Sequence, residues 1–289
     1  MRLLSSALLS VAISVAAAPD SLAQIKKPPL SPHALVEQQI GLSTMTIDYS
    51  RPGVKGRKIF GELEAYGAVW RTGANSSTKL TFSEAVVFGG EEVPAGKYGL
   101  YTIPNEKTWT VILSKNSELW GAGGYDPKDD QLRIEVTPTA LPAVHETLTI
   151  NLENFDANGA DLFVAWENTK IVVPIGVDSE TKVLADIDER VRKAEGEISP
   201  RTYYDAALYL HERKRDLEDA ANWIAKAVEA SPGAFWMSYT QAEIAVARGD
   251  MKTARAAAEK SLKDAEASER GDFGYAGRAR RLLDSLDKG

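Results

Sequence analysis

Arg51, Lys55, Arg57 and Lys58 put four cations into eight residues that contain no acid, and Pro52-Gly53 and Gly56 turn the backbone between them. Further along the same stretch, Trp70-Arg71-Thr72-Gly73-Ala74-Asn75 supplies an aromatic plane, a guanidinium, a hydroxyl and an amide. A guanidinium fork holds a carboxylate, phosphate or sulfate through two parallel hydrogen bonds. A Trp face stacks on a sugar ring or on another cation. Arg51, Lys55, Arg57, Trp70, Arg71 and Asn75 are therefore candidates for binding a small anionic or sugar-like ligand. The same residues also suit a packing role, in which buried Trp70 and Arg bridges to Asp48 or Glu62 tie a long crossover segment to its sheet.

A second segment, Trp120-Gly-Ala-Gly-Gly-Tyr125-Asp126, places three glycines between two large rings. Bare amides in such a turn can cradle an anion, so Trp120, Tyr125 and Asp126 join the candidates. The glycine spacing is not that of a dinucleotide fingerprint. Glu167 follows Trp166 and, paired with Asp48 or Asp126, would give the two carboxylates of a hydrolase acting on an anionic or glycan substrate. The three histidines, His33, His145 and His211, are far apart in sequence, and the chain has no cysteine. Thiolate catalysis and iron–sulfur clusters are excluded, a His-based metal site is disfavoured, and no motif calls for a cofactor. These residues favour a binding protein over an enzyme and leave the reaction, if there is one, unspecified.

The elements that must position these residues fall into two classes. From Pro32 to Val177 the apolar pattern has period two. Thr44–Tyr49, Lys79–Phe82, Ala85–Phe88, Tyr98–Ile103, Thr108–Leu113, Gln131–Val136, Glu146–Leu152, Leu162–Trp166 and Ile171–Val177 are the predicted strands. Gly89-Gly90, Pro94-Ala95-Gly96 and Asn158-Gly159 mark turns, the last as a type I′ hairpin needing positive φ at both residues. Short strands at this spacing predict an antiparallel β-sandwich or barrel-like domain.

After Asp178 the period becomes helical, so the chain as a whole is read as α+β, with an all-α tail over residues 178–289. Ser199-Pro200 opens a helix, the pair recurs at Ser231-Pro232, and Gly249-Asp250 ends one helix and caps the next. Ala220 and Ala254 stand 34 residues apart, the tetratricopeptide period. Tyr204, Ala207, Leu208, Ala220, Ile224, Ala227 and Pro232 fit that pattern well; Ala242, Ala245, Ala254 and Ala258 fit it loosely, with Ser238 and Gln241 where larger apolar residues are usual. The tail resembles a tetratricopeptide pair, and a plain bundle of helical hairpins is the other reading. Residues 178–195 and 273–286 are the expected capping helices of such a repeat.

Residues 1–23 have the layout of a secretory signal peptide: Arg2, an apolar run from Leu3 to Ala18, Pro19, and small residues before a cleavage point after Ala23. Export to the periplasm or beyond is expected, without a lipid anchor, because Gln24 rather than Cys follows the cleavage point. The apolar run is too short to span a bilayer. Residues 24–31 read as a Pro-containing linker. Lys and Arg number 14 against 18 Asp and Glu over residues 24–177, and 19 against 22 over residues 178–289, so neither half attracts nucleic acid.

Several of these strings occur together in a known family. Ser31-Pro32, Gln39-Ile40-Gly41, Ile47-Asp-Tyr-Ser-Arg-Pro-Gly-Val-Lys-Gly-Arg57, Val69-Trp-Arg-Thr-Gly-Ala-Asn75, Pro94-Ala-Gly96 and the Trp120–Asp126 segment stand in order. The run from Ser31 to Val177 resembles the domain-of-unknown-function family DUF2911. The resemblance implies export and allows a helical tail; it carries no activity and no catalytic residue. The family has Arg where this chain has His33. The combined expectation is an exported ligand-binding and protein-interaction scaffold, with the tail facing a protein partner. A carboxylate hydrolase and a purely structural envelope protein are the alternatives.

Overall fold

The computed structural model describes residues 27–288. The expected signal peptide and its cleavage point lie outside the described residues. The chain divides into two compact units between Val177 and Asp178.

The first unit is built of two antiparallel sheets. Six strands, β1 (His33–Ile40), β2 (Ser43–Ser50), β3 (Thr78–Phe82), β6 (Gly96–Ile103), β7 (Trp109–Ser114) and β8 (Asp130–Val136), lie in the order β1-β2-β3-β6-β7-β8. The other four, β4 (Val86–Phe88), β5 (Glu91–Val93), β9 (Thr139–Glu153) and β10 (Gly159–Gly176), lie in the order β5-β4-β10-β9. Alternation decides which side faces in. On β2, Met45, Ile47 and Tyr49 are buried while Thr44, Thr46 and Asp48 are partly exposed. Ile47, Leu80 and Leu100 from the first sheet and Ile150, Val164 and Ile171 from the second belong to one hydrophobic core.

Three details differ from the sequence reading. Leu162–Trp166 and Ile171–Val177 belong to a single long strand, β10, which bends at register shifts on both sides of Glu167. The β9–β10 hairpin forms, but Asn154 rather than Asn158-Gly159 takes positive φ (54°), and the Asp156 carboxylate accepts from the Asn158 amide instead. A longer loop closed by an Asx bond replaces the two-residue turn. Gly89-Gly90 does make a hairpin with both φ positive, 60° and 97°. Strands β1 and β5 went unpredicted because one is a polar edge strand and the other has three residues.

The second unit contains six described helices, α1 (Ser179–Ile187), α2 (Pro200–Glu212), α3 (Leu217–Ala230), α4 (Phe235–Arg248), α5 (Met251–Glu266) and α6 (Tyr275–Leu286), with a π-helical turn at Asp188–Arg192 continuing α1. Ser199 caps α2 with Pro200 in the first turn, and Asp250 caps α5 after Gly249 ends α4. Ser231-Pro232 does not open a helix. Ser231 ends α3, and α4 begins only at Phe235, after Gly233 has reversed the chain with φ 81°. Consecutive helices pack as hairpins around Ala207, Ala220, Ala227, Ala245, Ala254 and Ala258, all buried, where the missing side-chain bulk lets the backbones approach.

Candidate functional site

Between β2 and β3 the chain runs for 27 residues, from Arg51 to Ser77, without a strand of its own. It is nonetheless fixed at many points. Gly53 bridges Thr147 on β9, and Val54 donates to the Glu146 carbonyl at 2.7 Å. The Lys55 amide donates to the Glu146 carboxylate at 2.9 Å. Trp70 bridges Thr102 on β6 with two backbone bonds of 2.7 and 2.9 Å. At the β10 bend, Glu167 has φ 53° and accepts from the Ile59 amide at 3.2 Å. Both sheets thus hold the segment, which explains how so irregular a stretch keeps one shape.

The loop itself supplies two rings, Phe60 and Trp70, to an aromatic layer. Trp70 and Trp166 stack at 5.7 Å, and Phe60 meets Trp70, Trp109 and Trp166 edge-on at 4.7–6.2 Å. Trp70 is only 2% exposed and donates its indole N–H to the Gly73 carbonyl at 3.1 Å. Its ring is part of the core and offers no face to a ligand.

Above this layer is a cavity of about 410 Å³, walled by Lys55, Arg57, Glu64 and Arg71 and by the apolar or small residues Leu30, Pro52, Leu63, Gly73, Ala74 and Trp166. Arg57 is oriented by its own loop: Nε donates to the Val54 carbonyl at 3.0 Å and Nη2 to the Gly53 carbonyl at 2.6 Å. Two of the five guanidinium donors are used this way. Arg71 differs, because its buried Nε has no hydrogen-bond partner. The buried indole Nε1 of Trp166 has none either. Buried donors are nearly always paired, and an orphan calls for an explanation. The residue after Arg71, Thr72, is buried and held at φ 52° by bonds to Thr102 and Thr78. For a β-branched residue that conformation is strained by about 1–3 kcal/mol, and such strain concentrates at functional sites.

Glu64 is the carboxylate of the cavity wall. A compact turn carries it, with its amide bonded to the Ile59 carbonyl and its carbonyl to the Gly61 amide, both at 2.9 Å. Burial raises its pKa to about 7, against the opposing pull of Arg71 and Arg57. Neither Glu64 nor the hydrogen-bonding potential of Trp166 stood out in the sequence. The signal was there: an acid enclosed between Arg57 and Arg71 in a Gly- and aromatic-rich stretch.

The remaining predicted residues lie outside this cavity. Arg51 donates to the Leu148 carbonyl at 3.0 Å and the Thr149 hydroxyl at 2.8 Å, so it fastens the loop to β9. Asn75, with φ 62°, donates to Ser50 and accepts from the Gly121 amide. Trp120 bridges Ser76 but is 73% exposed. Tyr125 packs on Tyr101 at 5.1 Å and donates to the Asp130 carboxylate at 2.9 Å. Arg133 donates to both of them. Burial and then Asp130 push the Tyr125 phenol up to about 12. Asp126 caps the 3₁₀ turn Pro127–Asp129 by accepting from the Lys128 amide. Asp48 pairs with His33 at 2.8 Å rather than with an arginine. Asp48, Asp126 and Glu167 are thus each bonded at different places, and none of them lines the cavity. Among the described residues, no three His, Asp or Glu side chains gather as metal ligands, and no helix is long and apolar enough to cross a membrane.

The sequence profile of the family described as "Protein of unknown function (DUF2911)" matches residues 31–175, and the chain belongs to that family. No curated protein and no solved structure matches the chain.

Proposed function

We propose that this is an exported binding protein whose N-terminal domain holds a small ligand by an oxyanion group in the cavity of Lys55, Arg57 and Arg71. The unpartnered buried donors Arg71 Nε and Trp166 Nε1 carry the reading. Both residues line the cavity; an anion seated against them would offer the acceptors that these donors lack and would add charge-assisted bonds from the unused donors of Arg57. The apolar remainder of the wall suits a ligand with a small apolar body, and the volume is that of a small-molecule site. Lys55 is exposed and screened by solvent, so it attracts more than it discriminates.

The helical tail has the role of an interaction surface. Tyr204 from α2, Tyr239 and Glu243 from α4, and Tyr275 and Arg278 from α6 line one groove of about 450 Å³. Aromatic rings with arginine are typical of protein-contact surfaces. The signal-peptide layout of residues 1–23 supports the exported setting.

A thermal-shift series on the mature chain with sulfate, phosphate, acetate and benzoate tests the ligand reading. A ligand that binds only the native state raises its melting temperature. The stabilisation is expected in the wild type and lost in Arg57→Ala and Arg71→Ala, which stay folded. Equal stabilisation of wild type and variants would refute it.

A further inference from the structure

We propose that the cavity takes up its oxyanion together with a proton, and that Glu64 is the side chain that receives it. This rests on the anion-binding reading and adds a rule for when binding occurs. Glu64 is the acid of the cavity wall, facing Arg71 and Arg57. It forms no salt bridge with either among the described residues, so neither guanidinium is committed to it. An entering oxyanion would place a second negative charge on the same half-buried wall. Two anions sharing such a site cannot both stay ionised cheaply, and the one that can accept a proton does so. Protonated Glu64 then offers an O–H to the ligand and keeps a carbonyl oxygen for Arg71 or Arg57. Its raised pKa lowers the cost of that protonation near neutrality.

The charged groups around Glu64 leave it as the proton acceptor. Arg71 and Arg57 face it, and Lys55 shares the wall. From the second sheet, Glu146 is held by the Lys55 amide and Glu167 by the Ile59 amide. Both acids have an oxygen engaged by those bonds, and neither lines the cavity.

Sulfate is the useful probe, because it remains a dianion across the neutral range and any pH dependence belongs to the protein. Titration calorimetry of the mature chain is run at about pH 6 and about pH 8, on either side of the Glu64 value. Above that value, wild-type affinity is expected to fall by about tenfold per pH unit, the slope of one linked proton. Measured in two buffers of different ionisation heat, binding at the higher pH should show uptake of about one proton. Glu64→Gln should bind sulfate with the wild type's low-pH affinity at both pH values and take up no proton. Binding that is equally pH-dependent in wild type and Glu64→Gln overturns the proposal, as does binding by the wild type without proton uptake. If Glu64→Gln fails to fold, the two-buffer measurement on the wild type decides alone. No sulfate binding at either pH by the folded wild type removes the anion reading itself, and this proposal with it.

Discussion

The two loops that stood out in the sequence have similar ingredients and opposite fates. Residues 51–75 and 120–126 each combine tryptophan, glycine and acid, and the second leads directly into β8 with Asp130 and Arg133. In the second loop the polar groups satisfy one another: Tyr125, Asp130 and Arg133 close a ring of hydrogen bonds, and Asp126 caps its own turn. In the first, Glu64 and Arg71 face each other without a salt bridge, and donors on Arg71 and Trp166 stay open although buried. Composition marked both segments as unusual. The balance of donors and acceptors separates the one that is self-contained from the one that keeps unpaired buried donors.

That contrast breaks first if the aromatic layer is not what supports the cavity. Trp70→Ala should lower stability by about 3–5 kcal/mol, the cost of a large buried cavity, seen as a fall in the urea midpoint. A small effect would mean the layer is dispensable. The self-contained loop should be the next most sensitive. Asp130→Ala leaves the Tyr125 hydroxyl proton and the Arg133 Nε–H without their acceptor and should cost about 1–3 kcal/mol, measured in the same assay, without changing any anion response.

The Glu64 pKa gives a pH-resolved version. Its folded value lies above the ordinary carboxylate value of 4.5, so between about 4.5 and about 7 the folded state holds more of the proton. Stability must then fall as pH rises through that window and level off above it. After allowance for solvent screening, the loss is on the order of 1–2 kcal/mol. Glu64→Gln should lack it, and denaturation midpoints across that range would reveal the difference. The smallest effect is expected at Arg71. Arg71 is half-buried with an unpartnered Nε, so Arg71→Met removes an unsatisfied donor and should change stability by less than about 1 kcal/mol, toward greater stability. A loss larger than that would make Arg71 structural, like Arg133.

Much of the scaffold was legible because alternation survives wherever one face of a strand is buried. On β2, β3 and β7 the predicted and observed spans differ by a residue or so. Legibility failed where tertiary contacts override local pattern. Asn158-Gly159 looked like a tight hairpin, yet the β9–β10 ends are joined by an Asx-bonded loop. Ser231-Pro232 looked like a helix start, yet Gly233 extends the turn before α4. The cavity was half legible. Lys55, Arg57 and Arg71 were visible as cations, but which donors would be bonded and which open depends on how the folded loop places its own carbonyls and the distant strand β9. Arg51 is bonded to β9, 97 and 98 residues on, and Arg71 is not. No local pattern distinguishes those two arginines.

The most direct test observes the open donors themselves. In ¹⁵N-resolved NMR spectra of the mature chain, the Trp166 indole N–H and the Arg71 Nε–H can be followed during titration with sulfate at about pH 6, below the Glu64 value. Both signals should move together and saturate, while the exposed Trp120 indole on the other loop stays in place. Movement of Trp120 with Trp166 and Arg71 unchanged would contradict the account.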